Sequence, residues 1–266
     1  MGWTLTVSIA LYTVGLLHSV YGFYRKRRVF VKVALGFVGL GFVFHTISLI
    51  LLGMARAHFP ITNLPESLCL FAWFLSLTFL LANIRYDIKA LGAFTLPLIS
   101  LLTITASLVY DENRVIPPDL KSGWIYFHSS IAFLAYAAFF LTFVSGVLFL
   151  IQEKELKTKN FRFLYFRLPS LRSCDESMRL FLTVGFVAMS LTIISGMIYA
   201  PQAWGKSWNW DPKVMASLIT WLIYLILLLY RISSRWRGRH AAYISIIGFA
   251  SVLITFGINW GMHTYL

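Results

Sequence analysis

The chain has 266 residues, of which 59% are hydrophobic and 12% charged, with a mean hydropathy of +0.75, and this excludes a water-soluble globular domain. The net charge of +13 would suit a nucleic-acid binder, but the basic residues lie between apolar runs rather than along one face. They read as topology determinants, and no nucleic-acid partner is expected.

Eight apolar runs succeed one another, near residues 4–23, 30–53, 67–83, 90–109, 125–151, 180–200, 214–231 and 241–260. Each has roughly the 17–25 residues that a bilayer-spanning helix needs. The expected fold is all-α: a polytopic membrane protein with about eight transmembrane helices, forming one domain over 1–266. The first run is not a cleavable signal peptide, because its charges (Arg25, Lys26, Arg27, Arg28) follow the apolar stretch instead of preceding it.

Of the 23 Lys and Arg, only Arg56, Arg114, Lys121, Lys206 and Lys213 fall outside the connections after spans 1, 3, 5 and 7. By the positive-inside rule those four connections are cytoplasmic, and both termini lie outside. The longest connection, Gln152–Arg179, is inner and basic, and reads as a solvated or headgroup-contacting loop. The outer connection Tyr110–Gly123 carries Pro117-Pro118 and reads as an irregular loop. A short echo, Leu141-Thr142-x-x-Ser145-Gly146 and Leu191-Thr192-x-x-Ser195-Gly196, supplies small residues that permit close helix packing. The cysteines, Cys69 in an apolar run and Cys174 in a basic connection, form neither a CxxC pair nor a CxxCH motif. The chain is thus neither a disulfide framework, nor a thiol–disulfide oxidoreductase, nor itself a c-type cytochrome.

Between spans six and seven, on the outer side, stands Ala203-Trp204-Gly205-Lys206-Ser207-Trp208-Asn209-Trp210-Asp211-Pro212-Lys213. Interfacial tryptophans are ordinary in membrane proteins, and Trp204 and Trp208, four apart, would share a helix face as an aromatic belt. A belt does not account for Gly205, Asn209 and the Asp211-Pro212 stop. Indoles interleaved with hydrogen-bonding groups suit a large planar ligand with an anionic rim, and haem is the candidate. Lys206 and Lys213 could meet its propionates as point charges, while Asp211 could hold indole N–H groups or the local turn.

His128, at the outer end of span five, and His263, after span eight, lie level with this segment. One interfacial histidine alone is more often a polar anchor than a ligand. Two beside a Trp-rich segment favour an axial pair on haem iron. His45 lies near the middle of span two, where a metal or quinone contact and a satisfied helix–helix hydrogen bond are both open readings. His18 is a second intramembrane histidine; His58 reads as structural and His240 as topology only.

The segment Trp204-Gly205-Lys206-Ser207-Trp208-Asn209-Trp210-Asp211 matches in full the WGxxWxWD signature of the haem-handling "WWD" proteins of cytochrome c maturation. Together with His58-Phe59-Pro60-Ile61-x-Asn63-Leu64-x-Glu66-Ser67 and Phe256-Gly257-x-Asn259-x-x-x-His263, it resembles the CcsA-type (ResC-type) subunit of the system II synthase. The resemblance implies a bacterial inner-membrane protein holding haem b on the periplasmic side. Trp204, Gly205, Trp208, Trp210 and Asp211 would form the platform, and His128 and His263 the axial ligands. It implies presentation of haem for thioether attachment to the CxxCH motif of apocytochrome c, as part of a holocytochrome c synthase (haem lyase). The partners implied are a second membrane subunit of the CcsB/ResB type and, indirectly, a thioredoxin-like thiol reductase. The alternatives are a haem exporter or chaperone without ligation, and a non-catalytic membrane subunit. Two positions depart from the family pattern: Val214 stands where an acid is common, and Leu225–Tyr230 lacks the histidine that precedes the closing Arg231. The family's second, intramembrane haem therefore has no counterpart there: either His45 or His18 substitutes, or the chain is a paralogue that receives haem another way.

Overall fold

The structure, a computed structural model, describes residues 2–85, 89–111, 122–158, 165–205, 210–232 and 238–258. The described residues are helical, without strands, in eight helices each long and apolar enough to cross a membrane: α1 Trp3–Arg25, α2 Arg28–Arg56, α3 Leu64–Arg85, α4 Lys89–Leu108, α5 Gly123–Lys157, α6 Leu171–Trp204, α7 Pro212–Ile232 and α8 Arg239–Ile258. The protein is a multi-pass, all-α membrane protein. Its helices cluster into two compact units, residues 1–126 with 159–169, and residues 127–158 with 170–266.

The first unit is founded on the α1–α2 hairpin. Thr4, Ser8, Tyr12, Gly15, Ser19 and Gly22 recur every three or four residues as the buried stripe of α1, and α2 answers with Ala34, Val38, Gly41, His45 and Ser48. Lipid is as apolar as leucine, so membrane helices associate through close approach and hydrogen bonds instead of through hydrophobicity. A Cβ on Gly15 would come within 2.8 Å of Val38, and one on Gly41 within 2.9 Å of Tyr12. Ser8 donates to the Gly41 carbonyl at 2.8 Å. Leucine and isoleucine occupy the outer faces instead, as at Leu17, Leu40, Ile47 and Ile50. α3 joins α2 through Trp73, which stacks on Phe42 and donates to Thr46 at 2.8 Å.

The second unit is built around α5, the most buried span. Phe139 stacks on Tyr224 of α7 at 3.6 Å, and Phe140 and Phe143 meet Phe249 of α8. Trp221 ties α7 to α6 by stacking on Phe186 and donating to Ser190 at 2.9 Å. At the far end Asp175 accepts from Arg231 at 3.0 Å and from the Gly238 N–H at 3.3 Å, joining the ends of α6, α7 and α8.

The inner connection read as a loop over 152–179 is largely helical at both edges. α5 continues to Lys157 and α6 begins at Leu171. Glu153–Lys157 and Arg172–Glu176 are i,i+4 ion pairs, and the Ser170 hydroxyl accepts the Ser173 N–H at 3.1 Å as an N-cap. These local contacts carry the helices beyond the apolar runs.

Candidate functional site

The tryptophan segment is bounded by two helix ends. α6 stops at Trp204 because Gly205 takes φ +64°, the left-handed conformation that glycine enters without a Cβ penalty, and its N–H donates to the Pro201 carbonyl at 3.0 Å. α7 starts at Pro212, whose missing N–H costs nothing in a first turn, and the Asp211 carboxylate accepts the Lys213 N–H at 2.8 Å. Asp211 therefore holds the local turn. Trp210, directly before that cap, is 74% exposed. The Trp204 side chain, Trp208 and His263 lie outside the described residues.

His128 occupies the second turn of α5 and is half-buried. Its Nδ1 lies 2.9 Å from the hydroxyl of Ser195 on α6. Ser195 itself donates to the Thr192 carbonyl at 2.9 Å, so toward the imidazole it accepts, and Nδ1 carries the hydrogen. Nε2 then presents its lone pair and, among the described residues, has no hydrogen-bond partner. A Cβ on Gly196 would sit 3.1 Å from Cε1 of the ring, so the imidazole rests against bare backbone. The Lys213 ammonium, at the start of α7, is close enough for its charge to act on His128. Asp211, Lys213 and His128 thus share one end of the second unit.

His45 is fully buried, with Nδ1 3.2 Å from the Tyr12 hydroxyl and Nε2 3.1 Å from Cys69 Sγ. Both ring nitrogens are engaged by neighbouring helices, the second of the two open readings for this residue. His18 contacts the Val14 carbonyl through Nδ1 at 2.9 Å and lies against Phe37.

A third cluster holds His58. Its Nε2 lies 3.1 and 3.2 Å from the two Glu66 carboxylate oxygens, and Glu66 also accepts from the Thr62 N–H at 2.8 Å and the Thr62 hydroxyl at 2.9 Å. Asn63 accepts the Glu66 N–H at 2.9 Å, opening α3. The motif around His58 is thereby a buried turn closed on its own carboxylate. The Ser195–Gly196 seat of His128 was legible in the sequence only as packing. Its small residues recur at Ser145-Gly146, where a Cβ would press on Ser245 and the Ala242 backbone.

A profile described as "Cytochrome C assembly protein" matches residues 61–263. The chain is 32% identical to "Cytochrome c biogenesis protein CcsA" of Guillardia theta, over 98% of this chain and 93% of that protein. It is 34% identical to the protein of the same name from Prochlorococcus marinus subsp. pastoris, over 84% of this chain and 80% of the relative. Among solved structures, "Cytochrome c Heme Lyase CcmF" superposes with a TM-score of 0.70 at 17% identity, covering 95% of this chain. The chain spans 45% of that protein, and the likeness is one of fold.

Proposed function

The chain belongs to the cytochrome c assembly family, as a CcsA-type biogenesis protein, and from that premise we propose that it holds haem b at the outer face of the bacterial inner membrane for thioether attachment to apocytochrome c. Its role lies in cytochrome c maturation, and haem is the group that maturation handles. The observation that carries the finer reading is His128: a half-buried imidazole whose Nδ1–H is held by Ser195, with an Nε2 lone pair that has no partner among the described residues, near the cation of Lys213 at the start of α7. A metal-bound histidine has this form, donating its second nitrogen to a fixed acceptor. The donor set fits an iron porphyrin: a neutral imidazole for the iron, an exposed indole at Trp210, and Lys213 for a propionate.

In this reading His128 and His263 supply the axial nitrogens, and Trp204, Trp208 and Trp210 the flat surface, with Gly205 and Asp211 fixing the ends of the connection. Haem supplies the two vinyl groups. A reduced cysteine S–H of the CxxCH motif adds across each vinyl C=C, sulfur to one carbon and hydrogen to the other, with no net oxidation. The chain contributes positioning, which removes much of the entropic barrier to bringing thiol and vinyl together. Because the thiols must be reduced, a thiol reductase upstream and a CcsB/ResB-type membrane subunit complete the reaction.

Replacing both His128 and His263 by alanine is expected to abolish the bis-histidine haem spectrum of the purified protein; an unchanged spectrum rejects the ligands. Reconstitution with the partner subunit and a CxxCH peptide is expected to yield thioether-linked haem. Haem retention without ligation would assign the chain to export or chaperoning instead.

A further inference from the structure

We infer that Ser195 and Gly196 are the positioning residues of His128, setting its tautomer and ring orientation for iron; the inference rests on the haem reading above. Two observations on α6 converge on one imidazole. The Ser195 hydroxyl donates to the Thr192 carbonyl at 2.9 Å, so its lone pairs face His128 Nδ1 at 2.9 Å. With its hydrogen directed to Thr192, the hydroxyl is an acceptor toward the ring, the arrangement that favours the tautomer with hydrogen on Nδ1. Gly196, one residue on, leaves the ring a seat that a methyl would narrow to 3.1 Å from Cε1.

The result is an imidazole held at one nitrogen, braced at one edge, and open at the other nitrogen. Groups that hold a metal-binding histidine in this way typically contribute about 10–100-fold in metal affinity. Thr142, Ser145 and Gly146 repeat the same residue pattern in α5, but Ser145 donates to the Leu141 carbonyl and accepts from Ser177, and meets no histidine. The pattern alone is a packing device. On α6 it becomes a seat because α5 places His128 against it.

The test compares purified haem-loaded protein of four variants by absorbance and by titration with exogenous imidazole. His128→Ala is expected to lose the bis-histidine spectrum. Ser195→Ala is expected to give a mixed-spin spectrum, to lose haem about tenfold more readily, and to recover the low-spin spectrum when imidazole is added. Ser195→Thr, which keeps the hydroxyl, is expected to behave as wild type. Gly196→Ala leaves the hydroxyl in place and crowds the ring, and is expected to resemble Ser195→Ala. A wild-type spectrum and retention in both Ser195→Ala and Gly196→Ala, with His128→Ala deficient, overturns the seat while leaving the ligand intact. An unaffected His128→Ala overturns the ligand and the seat together. Equal loss in Ser195→Ala and Ser195→Thr, without recovery in imidazole, reduces Ser195 to packing.

Discussion

A histidine in the hydrocarbon region is tolerable when its nitrogens find partners, and His45 finds Tyr12 on one side and Cys69 on the other. Truncation to alanine would strand both, and interhelical hydrogen bonds in membranes contribute about 0.6–1.7 kcal/mol each. His45→Ala is therefore expected to lower the unfolding midpoint in detergent while haem per chain stays constant; loss of haem would make His45 a ligand. Sequence reading left its role open because an intramembrane histidine looks the same whether its partner is a hydroxyl or a metal. Gly205 gives a cleaner case. Among the described residues nothing lies within 4 Å of where its Cβ would be, so Gly205→Ala tests backbone strain, with an expected cost of about 1–2 kcal/mol. Hydrogen exchange of the last turn of α6 would report it. The glycine was legible as part of a motif, but its reason, a left-handed helix end, lies in the backbone conformation and leaves no mark in the sequence.

Among the elements, the turn between α2 and α3 depends on one carboxylate. Glu66→Ala removes the acceptor of the Thr62 N–H and hydroxyl and the partner of His58 at once. Each buried group left unsatisfied costs about 1–3 kcal/mol. The expected outcome is earlier proteolytic cleavage in 57–63 and a lower unfolding midpoint, and His58→Ala added to Glu66→Ala should cost less than the sum of the two. The eight spans themselves were legible because hydropathy reports length directly. The true ends of α5 and α6 were not, since Glu153, Lys157, Arg172 and Glu176 look like loop residues until their i,i+4 spacing is paired. Nor could the sequence reveal Ser195 as a neighbour of His128, because 67 residues separate them and serine in an apolar run reads as a packing residue.

For the whole molecule, hydropathy marks the spans but does not say which of them pack together, so a reading of 1–266 as one domain carries no information on the two compact units. Orientation is testable directly. Cys69 and Cys174 are 1% and 0% exposed, so an introduced cysteine is read against a silent background. Ser122→Cys is expected to react with a membrane-impermeant maleimide in intact cells, and Thr158→Cys only after permeabilisation. The reverse pattern would invert the topology and place the tryptophan segment on the side where apocytochromes do not mature.

The two helix caps on either side of Trp208 and Trp210 also limit the reach of the chain between them. Gly205 closes one helix and Asp211 opens the next, so the intervening chain can stretch no farther than about 20 Å. That reach bounds how far the indoles between the caps can stand from the two helix ends. Under the proposed function, an apocytochrome would have to bring its CxxCH motif up to the membrane surface, and the distance between those cysteines and its own folded parts would decide which clients can be served.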